Sequence, residues 1–146
     1  MTPARLAILV PARNEAERLP AMLAAMADAI GRAPGFAVVE LLVAVNGTTD
    51  ATAEVARREG ARLGLPVRVL VCVGRGKAIA TVEGMADLAA RHDALDWILL
   101  VDADGATDPS VLATLDPTPG ARALIGTRIG AGAWIERPAG AAPIRE

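Results

Sequence analysis

Two carboxylates stand two residues apart where an apolar run ends, in Leu99-Leu100-Val101-Asp102-Ala103-Asp104-Gly105. Packing gives no reason to close a buried strand with such a pair. If the extended geometry persists, alternation puts both side chains on one face. Adjacent carboxylates repel unless a cation sits near them. An all-oxygen donor pair favours Mg2+ or Mn2+ over softer metals, which makes Asp102 and Asp104 the candidate metal ligands. Gly105 lets backbone or ligand approach closely. The competing reading, a solvated loop with Asp as a turn former, fits this stretch alone equally well. The other apolar runs tip the balance, because they too end in residues able to do chemistry.

Pro11-Ala12-Arg13-Asn14-Glu15 follows the first run. Asn14 to Glu17 resembles a capping box, which assigns Asn14 to a helix N-cap and leaves Arg13 and Glu15 exposed. Val45-Asn46-Gly47-Thr48-Thr49-Asp50 follows the second. There Asn-Gly predicts a tight turn and Thr49 or Asp50 a helix cap. Asn46 also carries an amide with donor and acceptor, able to read a base edge. Gly74-Arg75-Gly76-Lys77-Ala78 opens the third helix. It is neither a Walker loop nor G-x-G-x-x-G, since Ala78 and Ile79 stand where those motifs need Ser/Thr and Gly. A helix N-terminus with Lys77 beside it can still attract an anion.

The elements that would hold these residues alternate along the chain. Strands are predicted at 6–10, 38–45, 67–73 and 97–101, with a fifth at 123–126. Helical stripes separate them. Leu19, Met22, Leu23, Met26 and Ile30 line the first helix, and a second runs to about Leu63 and stops at Gly64. The third spans about Lys77 to Arg91, with Ile79, Val82, Met85, Ala86 and Ala89 predicted to face inward. Asp108-Pro109 opens a short helix to Leu115. This pattern predicts an α/β fold, a doubly wound, mostly parallel sheet flanked by helices. Ligands in such sheets bind beyond the carboxyl ends of the strands, where all four motifs fall.

The chain has 146 residues, 53% of them hydrophobic, which suits one domain with a real core. Only Phe36, Trp97 and Trp134 are aromatic, so the core is aliphatic, as parallel sheets prefer. No apolar run approaches the ~18–20 residues of a membrane span. The start does not read as a signal peptide, and one cysteine excludes a disulfide framework. A cytoplasmic setting follows. The formal net charge of −2, with no basic cluster, argues against nucleic acid. Cys72 reads as a small buried hydrophobe, and His92 as a solvent-exposed residue at a helix end. The domain is expected to span 1–129, with a Gly/Ala/Pro-rich tail at 130–146.

Five motifs in register carry a resemblance. They are Pro-Ala-Arg-Asn-Glu at 11–15, Asn-Gly-Thr-Thr-Asp-Ala-Thr at 46–52, Gly-Lys-Ala at 76–78, Asp-Ala-Asp-Gly at 102–105 and Ile-Gly-Thr-Arg at 125–128. In order and spacing this set resembles family 2 glycosyltransferases, nearest the branch that makes polyprenyl-phosphate sugars. The resemblance implies a glycosyltransferase-A fold, a Rossmann-like nucleotide-binding half. Pro11, Ala12, Arg13 and Glu15 would line the nucleoside pocket. Asn46 would stand where the family usually has a base-contacting Asp, with Val45 on the preceding Asp. Asp102 would sit by ribose and metal, Asp104 would ligate the metal, and Ala103 would lie between them. Arg128 would meet a phosphate, and Lys77 would belong to the same nucleotide-sugar site.

What the resemblance implies is a donor of nucleotide-diphosphate sugar, UDP- or GDP-linked, with Mg2+ or Mn2+ as cofactor. The acceptor would be polyprenyl phosphate met at a membrane surface, or another glycan or lipid. Family members continue into an acceptor-binding half that carries the general base, and no residue here is assigned that role. The chain is therefore expected to be the donor-binding part, poor in transfer by itself. Apolar surface left uncovered would favour a homo-oligomer. Two alternatives stand beside this one. The first is a binding module that keeps the donor pocket without transfer. The second is a nucleotidyltransferase, disfavoured because Pro11–Glu15 replaces its usual Gly-rich loop.

Overall fold

The computed structural model describes residues 2–117. The predicted strand at 123–126, Arg128 and the tail lie outside them. Four parallel strands form one sheet: β1 (Ala4–Ala12), β2 (Phe36–Val45), β3 (Val67–Val71) and β4 (Trp97–Leu100). Between them run α1 (Leu19–Gly31), α2 (Thr52–Leu63) and α3 (Lys77–Arg91), followed by a 3-10 turn, η1 (Pro109–Thr114).

The strand order is β3-β2-β1-β4. The chain winds outward from β1 to β3, then returns to the other side of β1. This reversal puts a topological switch point between β1 and β4, and the crevice beyond their carboxyl ends is the ligand position of such sheets. Alternation along the strands divides the core in two. Leu6, Ile8 and Val10 of β1 meet Leu41, Val43 and Val45 of β2 under α1 and α2, together with Leu19, Leu23, Met26 and Ala56. Ala7, Leu9, Leu42 and Ala44 point the other way, onto Ala80 and Leu88 of α3. Each fully buried Leu or Ile stabilises the fold by roughly 1.5–3 kcal/mol. The sheet is thus wound on both faces, as the sequence predicts. Trp97 packs against the first cluster, and Cys72 is buried in the second.

Element lengths differ at the edges. β1 and β2 start two residues earlier than their apolar runs. β3 stops at Val71 because it is an edge strand, although Cys72 N–H still donates to Val45 O at 2.8 Å. Of the α1 stripe, Leu19, Met22, Leu23 and Met26 are buried as predicted, and Ile30 is partly buried against the same core. Gly64, at φ 67°, closes α2 in the left-handed region. Asp108 accepts from Ser110 N–H at 2.9 Å ahead of Pro109, the expected N-cap arrangement on a tighter helix.

Two predictions about helices are corrected. α1 starts at Leu19, after a turn in which Arg18 and Leu19 N–H donate to Glu15 O, so Asn14 is no N-cap and Glu17 closes no capping box. The inward face of α3 is Ala80, Gly84 and Leu88, not the bulkier stripe. Ile79 is 44% exposed, Val82 67% and Met85 38%, which leaves an apolar outer face. The small residues win because the helix lies close to the sheet: a Cβ on Gly84 would come within 2.5 Å of Leu9 Cδ1. Gly60 likewise brings α2 against Val67 of β3, where a Cβ would meet Val67 Cβ at 2.5 Å.

His92 is also corrected. Its side chain is 17% exposed and its Nε2 lies 2.7 Å from Glu40 Oε2. Glu40 is buried, and it also holds Arg68 Nε at 2.6 Å, while Arg68 continues to Asp87. This network joins β2, β3 and the end of α3 near the amino-terminal half of β2, away from the switch point.

Candidate active site

The loops after β1, β2 and β4 and the start of α3 converge on one cleft of about 340 Å3. Its lining is Pro11, Ala12, Arg13, Glu15, Asn46, Gly76, Lys77, Asp102, Ala103 and Asp104. Nine of the ten residues singled out from the sequence line it. The tenth, Arg128, lies outside the described residues.

Asn14 organises one wall. Its backbone sits at φ 52°, in the left-handed region that Asn tolerates better than most residues. Its Oδ1 accepts from Thr49 N–H at 2.9 Å. Thr52 Oγ1 accepts from Glu15 N–H at 3.0 Å, and Asp50 Oδ2 from Ala16 N–H at 3.2 Å. The polar residues read as two separate helix starts therefore clasp the β1 and β2 loops together. Asp50 also accepts from the Thr52 hydroxyl and from Thr52 N–H. The Thr52 hydroxyl does most to hold its carboxyl below the usual range, with backbone N–H groups adding and burial opposing. The clasp presents Arg13 and Glu15 to the cleft. Glu15 Oε2 is buried and accepts no hydrogen bond from the described residues. Arg18 Nη1 stands 3.4 Å from it as an ion-pair contact only.

Asn46 is buried, 3% exposed, and its Nδ2 donates to Gly76 O at 2.5 Å. The amide thereby fixes the turn that carries Lys77, a role that its Asn-Gly sequence did not reveal. One N–H and Oδ1 remain for a ligand. Gly76, at φ 106°, needs the freedom of glycine here.

β4 ends at Leu100, and Asp102 and Asp104 lie in the turn that follows. The turn, rather than strand alternation, brings both to the cleft. Asp104 Oδ1 accepts from Ala106 N–H at 2.8 Å. Asp102 Oδ1 is paired with Lys77 Nζ. Among the described residues no three His, Cys, Asp or Glu side chains gather into a metal cage. Two carboxylates with a cation already drawn to one of them are a donor set that fits a hard divalent ion completed by ligand oxygens and water. Burial first, then the charge of Glu83, pushes the Cys72 thiol up to about 11, which keeps it protonated near neutrality.

A family profile described as "Glycosyltransferase like family 2" matches residues 3–125. A dolichyl-phosphate beta-glucosyltransferase of Drosophila melanogaster is 38% identical over 111 residues, 70% of this chain and 31% of the relative. Glucosyl-3-phosphoglycerate synthase of Mycobacterium tuberculosis, solved with Mn2+, UDP and phosphoglyceric acid, is 25% identical at TM-score 0.45, over 68% of this chain and 33% of that one. The same enzyme solved with UDP is 26% identical at TM-score 0.45, over 69% and 34%. The chain thus spans about a third of the length of these relatives. With the profile matched over most of its residues, the chain belongs to the glycosyltransferase-like family 2.

Proposed function

We propose that the cleft binds a nucleotide-diphosphate sugar, UDP- or GDP-linked, together with Mg2+ or Mn2+, as the donor site of a glycosyltransferase. The observation that carries this reading is the convergence of Pro11–Glu15, Asn46, Lys77 and Asp102–Asp104 at the switch point of the sheet. Pro11, Ala12, Arg13 and Glu15 shape the nucleoside end. Asn46 holds the turn beneath Lys77 and offers its remaining polar atoms to the base. Asp102 and Asp104 would hold the metal, with Ala103 between them. When bound, the metal would neutralise charge developing on the departing diphosphate. Lys77 lies on the same wall, suited to a phosphate oxygen, and Arg128 is assigned a phosphate by the family motif.

The dolichyl-phosphate relative supports a polyprenyl phosphate acceptor, and the protein is assigned to the cytoplasm, at the membrane surface where such an acceptor would be met. No helix among the described residues is long and apolar enough to cross a membrane. The donor-binding domain is assigned to residues 1–129 and the tail to 130–146. The outer face of α3 is assigned to self-association.

Calorimetry with UDP and GDP, with and without Mn2+, tests the donor site. Affinity should rise with the metal, and Asp104→Ala should lose that increment while the domain stays folded. Equal binding after chelation would sink the metal assignment. Transfer is tested with pooled nucleotide-sugars and polyprenyl phosphate. Attack needs an acceptor held in line and a base in reach of it, and the cleft's carboxylates are all assigned to the donor. Turnover of this chain alone should therefore stay below the usual enzyme range of ~1 s⁻¹ or more.

A further inference from the structure

Asp102 already carries a cation that the protein supplies itself. Lys77 Nζ lies against Asp102 Oδ1, and the two side chains are 61% and 29% exposed. Asp104, by contrast, makes no ion pair among the described residues. The backbone under Lys77 is pinned, because Gly76 O is held by Asn46 Nδ2 at 2.5 Å. The rest of the lysine side chain stands at the open side of the cleft.

An ammonium group and a divalent ion cannot both sit on one carboxylate oxygen without strong mutual repulsion. A metal that takes Asp102 Oδ1 must push Lys77 off that oxygen. The displaced ammonium stays tethered to the first turn of α3, facing the same cleft. The anion that would accompany the metal there is a diphosphate.

We propose that Lys77 is a displaceable internal counter-ion. It neutralises Asp102 in the free protein and opposes binding of a metal alone. It moves to a phosphate oxygen when nucleotide diphosphate and metal enter together. This rests on the nucleotide-sugar reading of the cleft and adds to it a control on filling. The lysine disfavours a metal-loaded cleft without nucleotide, so its effect on the two ligands has opposite sign. In this role Lys77 is a positioning residue.

The test uses nucleotide-free protein titrated with Mn2+, the free ion being followed by electron paramagnetic resonance. Lys77→Met should bind Mn2+ about fivefold more tightly than wild type, the upper end of what one partly exposed ion pair is worth. Lys77→Arg, which keeps the cation, should behave as wild type. In a second arm, UDP binding at saturating Mn2+ should weaken in Lys77→Met. A purely structural lysine would not shift the two ligands in opposite directions. Equal Mn2+ affinity in wild type and Lys77→Met, with binding abolished by Asp104→Ala, overturns the counter-ion and leaves the metal site standing. Unchanged UDP affinity at saturating Mn2+ overturns the move to phosphate. If no variant binds Mn2+ at millimolar concentrations and chelation leaves UDP affinity unaltered, the metal assignment itself fails and the counter-ion falls with it.

Discussion

Asn46→Asp separates a base-reading amide from a structural one. In the structure, Nδ2 donates to Gly76 O at 2.5 Å from a side chain only 3% exposed. The substitution replaces that donor with a carboxylate oxygen facing a carbonyl oxygen. A buried polar group left unsatisfied costs about 1–3 kcal/mol. At about 2 kcal/mol, the midpoint should drop by roughly 5–10 °C for a domain of this size. The loss has a pH signature. The new carboxyl can donate to Gly76 O only when protonated, so its pKa in the folded state lies above the unfolded value. Its bond contributes fully below the unfolded pKa and is lost as pH rises through the folded one. The variant should therefore approach wild-type stability in mild acid and fall away from it towards neutrality. Because the turn under Lys77 loosens, UDP and GDP should both weaken. The assays are thermal melts across pH and calorimetry with both nucleotides. An unchanged midpoint at every pH would refute this reasoning and show that the amide does not hold the turn.

Three further expectations follow from the geometry. Arg68→Met takes from Asp87 its Arg68 partner and leaves Glu40, which is nearly fully buried, with only His92 and Arg91 among the described residues. Breaking a buried pair costs about 3–5 kcal/mol, so with a quarter of Arg68 exposed a loss of about 2–3 kcal/mol is expected in urea denaturation. The Asp50 carboxyl has its pKa lowered in the fold, so its contribution is present above the unfolded value and is lost as pH falls through the folded one. Asp50→Asn should flatten that acid limb of the stability profile, and an identical limb in the variant would assign the acid sensitivity elsewhere. Charging the outer face of α3 with Val82→Lys and Met85→Glu should reduce concentration-dependent self-association in sedimentation velocity, whereas equal sedimentation at all concentrations would clear that face of the role.

Most of the frame and the membership of the cleft were legible in the sequence. Apolar runs, proline, glycine and helical stripes act over a few neighbouring residues, so they located the four strands and three helices, and α3 to both of its ends. In a parallel sheet the residues just past each strand share one edge, which let separate motifs be assigned to a common cleft. Tertiary packing decided the rest. Ile79, Val82, Met85, Ala86 and Ala89 form a helical stripe as regular as Ala80, Gly84 and Leu88, and periodicity cannot rank them. The approach of Gly84 to Leu9 does so, by admitting only small side chains between helix and sheet. Asn14 looks like a cap from its neighbours alone, yet its partner is Thr49, 35 residues on. Asn46 spends its amide on Gly76, 30 residues away, Lys77 meets Asp102 across 25, and His92 meets Glu40 across 52. A polar side chain takes whichever donor or acceptor the folded chain brings within 3 Å, and local sequence carries no record of that choice.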